Sequence, residues 1–125
     1  MAVVELKKDN FEATITGNDF VIIDFWAPWC GPCRSFAPTY ETVSDDHPNI
    51  VFGKVNTEQE QELAKHFQVR SIPTLMIFRD NIIIFSQPGA LPESAFRELL
   101  SKAGGLDMNE VRAQIEAERQ GGQNA

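Results

Sequence analysis

The segment Phe20–Trp26 (FVIIDFW) constrains this chain more than any other. It is an almost continuous apolar run of strand length, and its β-branched and aromatic side chains favour extended backbone. Without polar alternation, such a run predicts a central strand buried on both faces. Asp24 alone interrupts it. A carboxylate in an apolar strand resists ionisation, so its pKa is expected to be raised. The chain has 125 residues, 42% of them hydrophobic and 23% charged, which suits one domain built around one core.

The rest of the chain supplies elements to pack around that strand. Val3–Leu6 reads as a short strand and Asp9–Thr14 as a short helix, with Gly17-Asn18-Asp19 as a turn. Beyond residue 33, Phe36, Ala37, Tyr40 and Val43 recur at helical spacing, with Pro38 expected to kink the helix. Ile50–Val55 reads as a strand. Thr57-Glu58-Gln59-Glu60 has the form of a capping box, predicting a helix that buries Leu63, Ala64 and Phe67. Thr74–Phe78 and Ile82–Phe85 form a hairpin across Arg79-Asp80-Asn81. Pro92 is expected at the first position of a helix with Ala95, Phe96, Leu99 and Ala103 on its apolar face. Alternating strands and helices followed by a hairpin and helix indicate an α/β domain with a mixed sheet.

Composition narrows the partners. Eleven basic and eighteen acidic residues give a net charge of -7, with no basic run. Nucleic-acid binding rests on phosphate neutralisation, so no nucleic-acid partner is expected. The opening Met1–Asn10 lacks a positive region followed by a long apolar stretch, and the longest apolar runs are too short to span a bilayer. A cytoplasmic location with no membrane association is therefore expected.

The two cysteines, Cys30 and Cys33, flank Gly31-Pro32 directly after the apolar strand and at the start of a helix. Thiolate is the attacking form, and the positive end of a helix favours it. Unpaired N–H groups in the first turn can donate to the Cys30 sulfur, and Pro32 fits that turn because it has no N–H to satisfy. Cys33, one turn inward, is placed to attack a mixed disulfide held on Cys30. Two other readings compete. A closed zinc site needs about four ligands, and His47 and His66 lie in separate segments without ligand spacing. A structural disulfide closing so short a loop adds little stability.

The stretch Asp24-Phe25-Trp26-Ala27-Pro28-Trp29-Cys30-Gly31-Pro32-Cys33 resembles the active-site signature of the thioredoxin family, and Ser71-Ile72-Pro73-Thr74 resembles its cis-proline segment. The resemblance runs from about Phe20 to Leu100. It implies the thioredoxin fold, a central mixed five-stranded β-sheet flanked by helices on both faces. It also implies a protein disulfide reductase: Cys30 as nucleophile, Cys33 as resolving thiol and Asp24 as proton acceptor. Lys54 would tune Asp24, and Pro73 would be the cis-proline. Trp29, Gly31, Pro32, Ile72, Gly89 and Ala90 would form the apolar patch that meets the client, with the Ile72 backbone pairing to an extended substrate segment. Trp26 is expected in the core. Such a protein binds no cofactor of its own. It draws electrons from NADPH through a thioredoxin reductase, serves clients that carry disulfides, and maintains cell redox homeostasis.

Three departures from that family's pattern bear on partner choice: Asp80-Asn81 at the hairpin turn, Asn56-Thr57 near Lys54, and Pro88 before Gly89. Residues 1–103 are assigned to the thioredoxin domain and 104–125 to a C-terminal extension. The extension comprises a Gly104-Gly105 hinge, an extra amphipathic helix with Met108, Val111 and Ile115 on one stripe, and a disordered tail from Gly121. A helix of about 13 residues is marginal alone, so it is expected to pack on its own domain or on a second copy, giving a monomer or a weak dimer. Two other functions remain open on sequence grounds. One is a binding or chaperone-like module, and the other an oxidase or isomerase of exported proteins. Gly31-Pro32 resembles the reducing members, and the absence of a leader disfavours the last.

Overall fold

The computed structural model describes residues 2–123. Its strands are β1 (Val3–Glu5), β2 (Phe20–Trp26), β3 (Val51–Asn56), β4 (Thr74–Arg79) and β5 (Ile82–Pro88). Its helices are α1 (Phe11–Thr16), α2 (Gly31–Asp45), α3 (Gln61–His66), α4 (Glu93–Gly104) and α5 (Met108–Gln123). The five strands form one sheet in the order β1-β3-β2-β4-β5. β1, β3 and β2 run parallel, whereas β4 is antiparallel to β2 and β5 to β4, so the sheet is mixed.

β2 occupies the middle, as its composition requires, and its alternate residues feed two separate cores. Phe20 and Ile22 pack with Phe36, Tyr40 and Val43 of α2 and with Phe96, Leu100 and Ala103 of α4. Val21, Ile23 and Phe25 pack on the other face against Phe11 and Ile15 of α1, with Leu63 and Phe67 from the α3 region at its margin. Each such side chain contributes about 1.5–3 kcal/mol by leaving water. Helices on both faces are what the uninterrupted apolar run demands.

Local polar contacts move two helix starts away from the positions expected from sequence. The Asn10 side chain closes a turn ahead of α1, accepting from the Lys7 N–H at 2.6 Å and donating to the Glu5 carbonyl at 3.1 Å, so the helix begins at Phe11 rather than Asp9. The Thr57–Glu60 capping box does not form. Asn56 Oδ1 accepts from the N–H groups of Glu58 and Gln59 at 3.0 and 3.4 Å, and the Thr57 hydroxyl donates to the Trp26 carbonyl at 3.1 Å. Glu60 instead accepts from the Lys8 N–H at 2.7 Å, and α3 starts at Gln61. Leu63, Ala64 and Phe67 are half-buried there.

The hairpin between β4 and β5 turns on Asp80 and Asn81, both left-handed at φ 52° and 68°. That is the geometry two-residue hairpin loops require, and Asp and Asn tolerate it better than most residues. Pro92 immediately precedes α4, and α5 follows after Gly105. Asp107 Oδ1 accepts from the N–H groups of Asn109 and Glu110 at 3.0 and 3.3 Å, capping α5. Met108 is buried and Val111 half-buried, while Arg112 pairs with Asp80 of the hairpin turn at 2.8 Å. The extension is thus joined to its own domain by its first turn, and Ile115 is exposed. The helix continues to Gln123, past the Gly121 at which a disordered tail was expected, and Asn124 and Ala125 lie outside the described residues. No helix among the described residues is long and apolar enough to cross a membrane.

One close approach lets β1 sit against β3. A Cβ on Gly53 would lie 2.4 Å from Cδ1 and 2.9 Å from Cγ of Leu6, a side chain with no exposed surface and so no room to retreat. Gly53→Ala is expected to lower stability by about 1–3 kcal/mol, read as a fall in the urea midpoint at constant slope. An unchanged midpoint would show that Leu6 yields freely.

Candidate active site

Cys30 and Cys33 form a disulfide with their Cα atoms 5.2 Å apart. Cys30 is the N-cap of α2, its backbone extended, and its Sγ accepts from the Cys33 N–H at 3.2 Å. A sulfur thus takes the place of a capping oxygen, so the positive end of the helix acts directly on Cys30. Both cysteines are almost fully buried, in a small cluster with Ala27, bordered by Trp26 and Ile72.

The segment before β4 supplies the opposite wall. Cys30 Sγ lies 3.8 Å from the Ile72 carbonyl oxygen, and the Ile72–Pro73 peptide bond is cis. The Thr74 hydroxyl donates to the Ser71 carbonyl at 2.6 Å, and the Gly89 N–H donates to the Pro73 carbonyl at 2.7 Å. Gly89 has φ 104°, a conformation glycine adopts without steric cost. Its hydrogen bond holds the chain just after β5 against the proline. Trp29, Pro32, Gly89 and Ala90 are exposed, Gly31 and Ile72 half-buried and Pro73 buried. Trp29 is the most exposed large apolar side chain, at 64%.

Asp24 lies behind the disulfide. It is 5% exposed and its Oδ1 has no hydrogen-bond partner. Burial pushes its carboxyl up from 3.8 to about 7, partly offset by the positive charge of Lys54. The two residues are paired in register across β2 and β3, so they share a sheet face. Lys54 is half-buried on an interior strand, not at a sheet edge, and it makes no direct ion pair with Asp24. Its ammonium instead lies over the Trp26 ring, 5.2 Å from the centroid. Asp24, Lys54, Cys33 and Tyr40 line one small cleft between α2 and the sheet, with Glu41 and Arg34 at its border. The cleft brings the buried carboxyl and the inner cysteine to one opening. Among the described residues no group of three or more His, Cys, Asp or Glu side chains could hold a metal ion.

Sequence reasoning missed two polar contacts here. The Trp29 indole N–H donates to Glu58, a residue assigned to the capping box, so the exposed ring is tethered at the site rim. The Tyr40 hydroxyl, on a residue chosen only for its apolar spacing, reaches two backbone carbonyls of the sheet. Neither contact has a local signal, because each joins segments distant in the chain. Trp26 is half-buried rather than core, and its indole nitrogen is buried without a partner.

A family model described as Thioredoxin matches residues 2–102. A putative thioredoxin 2 of Streptomyces coelicolor is 54% identical over 119 residues, covering 95% of this chain and 88% of its own. A match of that extent reaches into the extension, where the family model has already ended. Thioredoxin 1 of Synechococcus elongatus is 42% identical over 97 residues, 77% of this chain and 87% of its own. A solved structure of Plasmodium falciparum thioredoxin superposes with a TM-score of 0.74 at 32% identity, covering 82% of this chain and 98% of the other.

The raised carboxyl makes a stability prediction with a definite sign. Folded Asp24 keeps its proton up to about pH 7, whereas an unfolded aspartate loses it near 3.8. Between those values the folded state holds the extra proton, so stability falls as pH rises. Asp24→Asn removes that loss: relative to its effect at pH 3.5, the variant should gain on the order of 4 kcal/mol by pH 8. A difference from wild type that stays constant from pH 3.5 to 8 in urea unfolding would contradict the raised pKa.

Proposed function

The chain belongs to the thioredoxin family and is a thiol–disulfide oxidoreductase, and we propose that it acts as a protein disulfide reductase. The observation that carries this reading is the Cys30–Cys33 disulfide set in the first turn of α2, with Cys30 Sγ receiving the Cys33 N–H. In the reduced protein the helix N-terminus stabilises the Cys30 thiolate, which attacks one sulfur of a client disulfide. A bond forms between Cys30 and that sulfur, and the other client sulfur leaves as thiolate. Asp24, as carboxylate, takes the proton from the Cys33 thiol. The Cys33 thiolate then attacks Cys30 Sγ, the mixed disulfide breaks, and the client departs with its second thiolate. Two electrons have passed from the dithiol to the client, leaving the disulfide seen here.

Lys54 keeps Asp24 from rising further out of range, since its charge favours the carboxylate. Trp29, Gly31, Pro32, Ile72, Gly89 and Ala90 surround the sulfur as the docking surface. The client backbone pairs beside Ile72, next to Pro73, by strand addition. A thioredoxin reductase then returns two electrons from NADPH. The cycle needs a reducing supply, in keeping with the cytoplasmic location expected from the sequence. Every group it uses comes from one chain, so a monomer suffices. Residues 1–103 carry the cycle, and 104–125 form an appendage to it.

Insulin reduction with thioredoxin reductase and NADPH tests the whole cycle, and no turnover by the wild-type chain would end this reading. Cys33→Ser is expected to accumulate stable mixed disulfides between Cys30 and clients, visible as adducts on non-reducing gels that dithiothreitol dissolves. Equal adducts in a Cys30→Ser variant that keeps Cys33 would remove Cys30 as the nucleophile.

A further inference from the structure

Tyr40 is a buried ionisable residue to which the exchange cycle assigns no task. Its ring lies among aromatics, stacked on Phe96 at 5.8 Å and edge-on to Phe52 at 5.3 Å, contacts a phenylalanine would make equally well. Its hydroxyl does something a phenylalanine does not. It lies 3.0 Å from the Ile22 carbonyl oxygen and 2.6 Å from that of Gly53, so its one O–H is shared between adjacent strands. Gly53 leads directly into Lys54, and Ile22 stands two residues before Asp24. The register sets Ile23 opposite Gly53 and Asp24 opposite Lys54. The hydroxyl therefore fastens the strand pair one step below the carboxyl and the ammonium.

The same residue also fixes the helix that carries the resolving cysteine. Tyr40 follows Cys33 by seven residues on α2, two turns along one face. Pro38 lies between them and removes one intrahelical hydrogen bond, loosening the helix there. Beyond that point the apolar contacts of α2 resist separation from the sheet, but apolar contact is non-directional and does not by itself set position along it. The hydroxyl does. Burial, and next the nearby Asp24 charge, hold the Tyr40 phenol well above its usual range, so it remains a donor while Asp24 titrates.

We propose that Tyr40 is a positioning residue for the resolving step: its hydroxyl pins α2 to the β2–β3 peptides and so sets the Cys33 sulfur relative to the Asp24 carboxyl. In the step it serves, one proton passes from the Cys33 thiol to the Asp24 carboxylate, and the sulfur keeps the electron pair. The proposal rests on Asp24 as the proton acceptor.

The test is Tyr40→Phe, which removes the hydroxyl and keeps the ring. Rapid-mixing kinetics with a small disulfide should show attack by Cys30 unchanged. Release of the mixed disulfide by Cys33 should fall roughly tenfold at pH 7, the scale of effect that small misplacements produce. Its pH profile should shift with the Asp24 midpoint, followed directly by carboxyl carbon NMR. Phe96→Leu is the control, since it loosens the packing around the same ring but leaves the hydroxyl in place. It should keep both the release rate and the midpoint. Wild-type release and an unmoved midpoint in Tyr40→Phe would overturn the proposal, as would equal slowing by Phe96→Leu. Wild-type release in Asp24→Asn would overturn the acceptor role and this proposal with it, whereas slow release there beside normal release in Tyr40→Phe would overturn this proposal alone.

Discussion

Asp24 stands in β2 between Ile23 and Phe25, neither of which has any exposed surface, and desolvation lifts its carboxyl to about 7. The sheet cannot relieve that cost by moving, because the residues around Asp24 are committed to cores on both faces. One group near it moderates the penalty without removing it. Lys54 lends charge from the neighbouring strand but spends its direct contact on the Trp26 ring. A direct ion pair would have held the carboxyl ionised and made it a poor acceptor. The longer separation leaves it poised.

The two sulfurs are served by different physics. Cys30 is governed by the helix terminus, where an N–H and the aligned peptide dipoles favour negative charge. Cys33 lies a turn inward, where burial disfavours a thiolate until a base removes the proton. In the proposed cycle this division gives the exchange an order, with the outer sulfur active before a client arrives and the inner one only as Asp24 acts. The outer side is also where the chain departs from regular structure. The cis Ile72–Pro73 bond, the positive φ of Gly89 and the tethered Trp29 cluster around Cys30. The sheet fixes Asp24, and the loops fix the segments proposed to dock the client.

These two halves were unequally legible in the sequence. β2 begins and ends where its apolar run does, and Asp24 stood out because it was the run's one polar residue. Asp80-Asn81 announced a turn that needs two left-handed residues, and the structure has both. Such signals are local, and periodicity or turn chemistry carries them. The capping box at Thr57–Glu60 failed for the converse reason. Its two capping side chains are drawn off by Trp26 and Lys8, 31 and 52 residues away, and these tertiary hydrogen bonds outweigh a local motif worth about 1 kcal/mol. Tyr40 was legible as a ring and illegible as a hydroxyl, since helical spacing reports which face a side chain occupies and nothing about what its tip meets. The ion pair of Arg112 with Asp80 was hidden in the same way, although it joins the extension to the hairpin.

A carboxyl near pH 7 is useful because the reaction must run both ways. In the proposed cycle Asp24 accepts a proton from Cys33 on client reduction, and on recycling the Cys33 sulfur leaves the disulfide and must be reprotonated. A group far below neutrality would accept poorly, and one far above it would rarely be ionised when needed. The compromise lies close to the working pH, where acceptance and return are both accessible. The same poise explains why the domain tolerates a buried carboxyl that weakens it as pH rises from about 3.8 toward 7. What destabilises the fold is the higher proton affinity of Asp24 in the folded than in the unfolded chain, and the same raised affinity is what suits it to the proposed exchange of a proton with the sulfur. Removing the one removes the other. In the proposed cycle the stability cost is therefore tied to the proton transfer, and a more stable core at this position would be a slower enzyme.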